Sequence, residues 1–382
     1  MISEQTRTML NSGVDSSRLD HDYQRLKGLA RSSLGYPCNQ AFDYRELLPF
    51  LEMPLNNVGD PFQESSYALN TLDYEREVID IFADLAQLPH GQHWGYVTNG
   101  GTEGNMYGLY LARELFRHGM VYFSEQTHYS VAKILRLQHT PSIMIKAQEN
   151  GEMDYDDLRE SIRINRHLPP IIFANIGTTM TGAIDDLTKI HNILDELAIR
   201  EHYVHADAAM HGLALAFIDN PPAWDFAAGI DSLSISGHKW LGSPIPCGIA
   251  LARSSHVKRI SRAVEYVGVN DTTISGSRSA YAPLMIWYGL RKHGEDGLKK
   301  MIKDSILLAQ YTVEAFQKKG IQAWRNQNSP IVVFPKPNNE VIRRWSLAVD
   351  RNIGHIVCLP HIEKSTIDTF IEDYLTGSPE PH

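Results

Sequence analysis

The chain has 382 residues, 43% of them hydrophobic, with 36 Lys+Arg against 45 Asp+Glu and a formal net charge of −9. Such a length permits a large core, either as two or three domain-sized units or as one large α/β unit with a smaller one appended. The acidic balance and a pI near 6.0 argue against a general nucleic-acid binder, and no apolar run approaches the ~20 residues of a membrane span.

Residues 1 to about 60 are polar, and Tyr36-Pro37 and Met53-Pro54 mark extended turns, so a helical arm and loops are expected there. Across 70–88, Leu72, Val78, Ile79, Phe82, Leu85 and Ala86 recur at helical spacing, and Pro89, Gly91 and Gly95 stop the helix. A strand over 95–98 leads into Asn99-Gly100-Gly101-Thr102-Glu103-Gly104-Asn105 and a helix reaching about 118. Strands are then predicted at 120–124, 142–147, 171–176, 203–206, 231–236 and 248–252, with helices at 128–137, 154–164 and 187–199. Asp154 suits an N-cap, and the unbroken apolar run over 171–176 suits a strand buried on both faces. This βαβα rhythm predicts the α/β class, with a mainly parallel sheet and a site at its strand ends.

Beyond Arg253 the rhythm changes. Residues 281–319 read as long helical sequence, 331–334 as a strand cut off by Pro335 and Pro337, 341–349 as a helix, 355–359 as a short strand and 366–375 as a terminal helix. The expected division is an N-terminal arm over 1–60, a large domain over 61–280 and a small α+β domain over 281–382. The start Met1-Ile2-Ser3-Glu4 lacks the basic segment and apolar core of a signal peptide. Cys38, Cys247 and Cys358 are dispersed and form no Cys-x-x-Cys, so a cytoplasmic location is expected, with no metal site and no nucleic-acid or membrane partner.

Chemistry concentrates at the predicted strand ends. Ser232-Leu233-Ser234-Ile235-Ser236-Gly237-His238-Lys239-Trp240 alternates as a strand, then breaks at Gly237 and presents Lys239. A lysine there is either a solvated surface residue or, if desolvated, a nucleophilic amine able to form a Schiff base. The Gly100-Gly101-Thr102 turn is either a glycine-rich helix cap or an anion cradle made of backbone N–H groups. It matches neither the dinucleotide fingerprint nor the Gly-Lys-Ser/Thr phosphate loop. Asp207, in His205-Ala206-Asp207-Ala208-Ala209, is a candidate buried charge in need of a partner such as a protonated ring nitrogen. A metal held by His205, Asp207 and His211 is disfavoured, because Asp207 and His211 would share a face only on a helix. His128 could cap a helix or stack on a flat ring. A phosphate cradle, a ring stacker, an acid partner and an amine form the set that pyridoxal phosphate requires.

The chain resembles the group II pyridoxal-phosphate-dependent amino-acid decarboxylases of the fold-type-I aminotransferase superfamily. Among them it is most similar to the bacterial histidine decarboxylases and the plant serine decarboxylases. The resemblance rests on Trp94-Gly95-Tyr96-Val97-Thr98 with the following Asn99–Asn105 stretch, Thr127-His128-Tyr129-Ser130, Asn175-Ile176-Gly177-Thr178-Thr179, His205–Ala209, Ser236-Gly237-His238-Lys239 and Gly276-Ser277-Arg278. It implies an aspartate-aminotransferase-like fold with a mainly parallel seven-stranded sheet, and a homodimer with its active site at the subunit interface. It further implies that Lys239 forms the Schiff base and Asp207 pairs with the ring nitrogen. His128 would stack on the ring, with Ala209 on the opposite face. Gly101, Thr102, Ser236 and His238 would surround the phosphate, Thr178 and His205 would lie near the ring, and Tyr266 would return a proton to Cα. The implied reaction is decarboxylation of L-histidine to histamine; the alternatives are serine, another small polar or aromatic amino acid, or a different pyridoxal-phosphate reaction such as transamination. Two departures bear on the substrate. Ala209-Met210-His211-Gly212 stands where those histidine decarboxylases read Ala-Leu-Ser-Gly, and Ser279-Ala280-Tyr281 stands where both groups read Asn-Gly-His.

Overall fold

The computed structural model describes residues 2–264 and 269–377. Its centre is a seven-stranded sheet. In chain order the strands are β1 (His93–Thr98), β2 (Met120–Ser124), β3 (Ser142–Ile145), β4 (Pro170–Asn175), β5 (Tyr203–Asp207), β6 (Ser232–Ser236) and β7 (Gly248–Arg253). Their spatial order is β1-β7-β6-β5-β4-β2-β3. β7 runs antiparallel to both of its neighbours, and the pairs from β6 through β3 are parallel. Every residue of β4, β5 and β6 is buried, as strands covered by helices on both faces require. The parallel run therefore brings the carboxyl ends of β4, β5 and β6 to one edge.

Local signals in the chain are realised where they are strong. Asp154 caps the Tyr155–Ile164 helix by accepting from Asp156 N and Asp157 N. The helical pattern over 70–88 is the Leu72–Leu85 helix, whose Val78, Ile79 and Phe82 lie in the main core. The long helical stretch spans Tyr281–Lys318 but is two helices joined at Gly294, whose φ of 59° breaks the spiral. Among the described residues, no helix is long and apolar enough to cross a membrane.

The expected helix over 341–349 is corrected. The helix is Asn339–Arg344, and Ala348–Asp350 is instead a strand of a second sheet, which has three strands. That sheet comprises β8 (Ile331–Pro335), β9 (Ala348–Asp350) and β10 (Ile353–Val357) in the order β8-β10-β9. Ser346 takes a φ of 46°, which ends the helix, and Arg351 at 48° closes a tight hairpin that pairs Val349 with Gly354. Pairing with β10 outweighs the local helical pattern.

The first 60 residues are held to the body by long-range contacts. The Glu4–Asn11 and Ser16–Ala30 helices bury no residue, whereas Leu34 N donates to Trp345 O at 3.1 Å and Leu34 O accepts from Val357 N at 2.8 Å. Asn39 N then donates to Lys239 O at 3.0 Å and Asn39 Nδ2 to Trp240 O at 2.8 Å. A second tie is ionic. Arg278, on the short strand Ser277–Ser279, donates to Glu75 Oε2 at 2.9 Å and to Gly59 O at 2.8 Å. Glu75 also accepts from Val97 N at 2.8 Å and Asn57 Nδ2 at 2.7 Å, with its side chain completely buried. Removing one member of such a pair leaves the other charged and unpaired in the core. Arg278→Met is therefore expected to destabilise the protein by about 3–5 kcal/mol in chemical denaturation, and adding Glu75→Gln should recover part of the loss. An Arg278→Met protein as stable as the parent would contradict this role for the pair.

Candidate active site

The carboxyl edge of the sheet borders a cavity of ≈ 400 Å³. Asn175, Asp207 and Ser236 reach it as the last residues of β4, β5 and β6. Gly101, Thr102 and Asn105 reach it from the helix that follows β1, and His128 from the turn after β2. The opposite wall is remote in sequence: Gly35, Tyr36 and Pro37 from the N-terminal segment, and Ile331, Ala348, His355 and Val357 from the three-stranded sheet.

Lys239 extends into this cavity three residues after β6. Desolvation lowers its pKa, and the nearby Asp207 carboxylate opposes that shift. Such a shift favours the neutral, nucleophilic form of the amine.

Asp207 is oriented from behind. Its Oδ2 accepts from Asn105 Nδ2 at 2.7 Å and its Oδ1 from Ala209 N at 3.1 Å. The Asn105 side chain turns its Oδ1 to His205 Nε2 at 3.0 Å, and His205 Nδ1 lies 2.7 Å from Ser232 Oγ. Since Asn105 Oδ1 can only accept, His205 carries its proton on Nε2 and takes the Ser232 hydroxyl at Nδ1. Burial lowers the His205 pKa to about 3, so the ring is neutral and adds no charge behind the aspartate. His205 does not line the cavity; it supports Asp207 through Asn105.

The Gly100-Gly101 turn is open to an anion. Gly100 has a φ of 137°, a conformation that favours glycine, and a Cβ on Gly101 would stand 3.0 Å from Ser236 Oγ. The first N–H groups of the helix have no intrahelical acceptor and point off its end. His238 lies beside it, with Nδ1 2.7 Å from Cys247 O. His128 faces the cavity with Nδ1 2.8 Å from Ser130 Oγ. Burial lowers its pKa, Asp207 acts to raise it, and Lys239 acts to lower it. Thr178 Oγ1 accepts from Ala183 N at 2.9 Å, closing the turn that carries Thr178 and Thr179 to the wall. Ala209 lines the cavity beside Asp207. These residues fit pyridoxal phosphate: an amine for its aldehyde, a carboxylate for its ring nitrogen, backbone donors for its phosphate and a flat imidazole for its ring.

Among the predicted residues, Lys239, Asp207, His128, Gly101, Thr102, Ser236, His238, Thr178 and Ala209 all line one cavity. Tyr266 lies outside the described residues. Neither position singled out for the substrate reaches this wall. Tyr281 donates from its hydroxyl to Met53 O at 2.5 Å and borders a separate groove with Tyr44 and Leu284. His211 is buried beside Gly177, where a Cβ would fall 1.8 Å from its Nδ1. Sequence reasoning missed Asn105, although it closes the quoted glycine motif. It also missed His355, whose Nδ1 and Nε2 lie 3.1 Å from Met180 O and 3.0 Å from Gly35 O, and which carries no local signal.

Residues 62–335 match the model of the pyridoxal-dependent decarboxylase conserved domain, and the chain belongs to that family. It is 47% identical over 346 residues to the histidine decarboxylase of Morganella morganii, covering 90% of this chain and 92% of that protein. It is 45% identical over 370 residues to the histidine decarboxylase of Pseudomonas entomophila, covering 96% and 92%. Among solved structures, L-methionine decarboxylase from Streptomyces sp. 590 is similar with a TM-score of 0.87 and 23% identity, covering 97% of this chain and 98% of that one. That likeness concerns the fold, which is the fold-type-I architecture of pyridoxal-phosphate enzymes, and the cofactor of this chain is pyridoxal phosphate.

The buried histidines carry a pH signature. Burial lowers the His205 and His211 pKa values to about 3 in the folded protein, and neither His211 nitrogen has a partner among the described residues. In the unfolded chain both titrate near the ordinary value of about 6.5, so the unfolded state binds more protons between about pH 6.5 and 3. Stability is therefore full above about pH 6.5 and falls as pH drops, by up to about 1.4 kcal/mol per pH unit per group. His211→Met is expected to remove about one proton from the pH slope of the urea-unfolding free energy of the apoprotein between about pH 6 and 4. An unchanged slope would contradict a neutral, buried His211.

Proposed function

We propose that this chain decarboxylates L-histidine to histamine and carbon dioxide. The supporting observation is that Lys239, Asp207 and the glycine turn converge on one cavity whose described lining contains no arginine. A transaminase gains from a fixed cation on the α-carboxylate, which keeps that group in place. A cavity lacking such a partner leaves the carboxylate poorly solvated, and its departure as neutral carbon dioxide relieves that cost. The choice of histidine rests on the relatives, two of which are histidine decarboxylases at 45% and 47% identity over nearly their full length.

The roles are assigned as the resemblance implies them, supported by where the described residues line the cavity. The cofactor, when bound, supplies an electron sink for the pair left at Cα as carbon dioxide departs. Lys239 would be the amine that holds it and yields its place to the substrate amine. Asp207, fixed by Asn105 and Ala209 N, keeps a proton at the ring nitrogen. His128 would pack on one ring face and Ala209 on the other. Gly101, Thr102, Ser236 and His238 would hold the phosphate, Thr178 would bound the ring, and His205 would act through Asn105. Tyr266 would deliver the proton to Cα, as the resemblance implies.

A screen of the twenty amino acids for carbon dioxide release, run on the parent and on Tyr266→Phe, tests this reading. Histidine should give the highest kcat/KM with histamine as product. Preference for serine, or formation of a keto acid, would overturn the substrate or the reaction. Tyr266→Phe should lower the histamine yield and divert part of the product to the aldehyde, with the amino group retained on the cofactor; undiminished histamine yield would remove the tyrosine from the protonation step.

We also infer a homodimer. The two N-terminal helices bury nothing within one chain, yet Leu19, Tyr23, Leu26 and Leu29 recur at helical spacing and stay exposed. Such an unpartnered stripe fits a second copy. Sedimentation should give about twice the 43.1 kDa of one chain, and a 43.1 kDa species at micromolar concentration would contradict the inference.

A further inference from the structure

Glu103 has no part in the roles assigned above, and it is the most heavily engaged acidic side chain near the cavity. It is the third residue of the Gly101–Leu115 helix and only 8% exposed. Its two carboxylate oxygens serve two different places. Oε2 accepts from Asn99 N at 2.9 Å and from Asn99 Nδ2 at 2.8 Å. Oε1 accepts from the Tyr96 hydroxyl at 3.0 Å and from Ser275 Oγ at 3.1 Å.

The first place is the start of the phosphate turn. Asn99 immediately precedes Gly100, which has a φ of 137° and whose backbone is held by Thr98 Oγ1, donating to Gly100 O at 2.9 Å and accepting from Gly100 N at 3.3 Å. Glu103 adds a second anchor by holding both the backbone and the side chain of Asn99. The second place is a segment remote in sequence. Ser275 does not line the cavity, but its neighbours are tied down: Thr272 Oγ1 donates to Asp60 Oδ2 at 3.1 Å, and Ile274 N approaches the Tyr96 hydroxyl at 3.5 Å. Burial keeps the Tyr96 hydroxyl protonated, its pKa pushed well above the ordinary value, so it remains a donor to Glu103. The four groups on the carboxylate all donate, and none is a cation. The carboxylate therefore works as a hydrogen-bonded bridge, favoured by its place in the first turn of a helix.

We propose that Glu103 is a positioning residue that makes the Ile274–Ser275 segment part of the cofactor's phosphate subsite, by bridging Ser275 to Asn99 and so fixing the Gly100-Gly101 turn. The proposal rests on the assignment of the phosphate to that turn. Because coupling between two places is reciprocal, the bridge also makes cofactor binding order the segment around Ser275.

The test titrates the apoprotein with pyridoxal phosphate and, separately, with pyridoxal, which lacks the phosphate. Ser275→Ala, a change at a half-buried hydroxyl that leaves the core intact, is expected to raise the Kd for pyridoxal phosphate about fivefold, the size of one lost hydrogen bond, and to leave the Kd for pyridoxal unchanged. Glu103→Gln keeps the shape, and the Tyr96 and Ser275 hydroxyls can rotate to accept from its amide; the expected loss is about tenfold and again confined to the phosphorylated ligand. The double variant should be no weaker than Glu103→Gln alone, since both changes break one bridge. Ser236→Ala is the reference for the phosphate assignment and should show its own phosphate-selective loss. If Ser236→Ala is selective while Ser275→Ala is silent, affects both ligands equally or adds fully to Glu103→Gln, the bridge is overturned and the phosphate assignment stands. If Ser236→Ala shows no selectivity, the assignment fails and the bridge fails with it.

Discussion

Withdrawing the Lys239 amine from water is the constraint on which the rest of the site depends. A buried ammonium is costly, so desolvation pushes the amine toward its neutral form, and the Asp207 carboxylate keeps it from going too far. Both groups sit at the carboxyl edge of the sheet because β5 and β6 are adjacent and parallel, with Asp207 opposite Ser234 in register. The lysine's own backbone is fixed by Asn39 N on its carbonyl, and the following Trp240 is anchored by its Nε1 donating to Met210 O at 2.7 Å. The N-terminal segment is thus part of the site although it contributes no reactive group.

The acid partner is held by a relay of neutral groups. Ser232, His205 and Asn105 pass orientation to Asp207 without placing a positive charge behind it. A cation there would neutralise the carboxylate before it could serve a ring nitrogen. Gly108 belongs to the same arrangement, since a Cβ on it would fall 2.1 Å from His205 Nδ1. The helix that presents the phosphate turn can approach β5 closely only because that position is bare.

Much of this was legible in the sequence where a physical signal is local. The apolar run of β4, the Asp154 cap and the glycine turn each show in a few adjacent residues. That Lys239, Asp207 and His128 would meet at one site was also legible, because each stands at or just past a strand end and the resemblance gathered them together. What was not legible is what pairing across the chain decides. Ala348–Asp350 reads as helix yet forms a strand, because a hairpin to Ile353–Val357 satisfies its backbone. The three-residue strand Asn56–Val58 is too short for periodicity to show, and it exists through its pairing with Ser277–Ser279. The wall formed by Gly35, Tyr36 and His355 carries no motif. Gly35 fits there only because a Cβ would fall 2.3 Å from Ala348 N, a contact between segments more than 300 residues apart. The place of Tyr281 in a motif left open whether it shapes the pocket or only a dimer contact; its hydroxyl is engaged by Met53 O in another groove.

The central claim is that Lys239 is the amine that carries the cofactor. Reducing the holoprotein with borohydride and mapping the fluorescent pyridoxyl peptide tests it most directly. The account predicts a single labelled peptide containing Ser236-Gly237-His238-Lys239, with the label on Lys239. A label on any other lysine, or a holoprotein that borohydride leaves unlabelled, would contradict it.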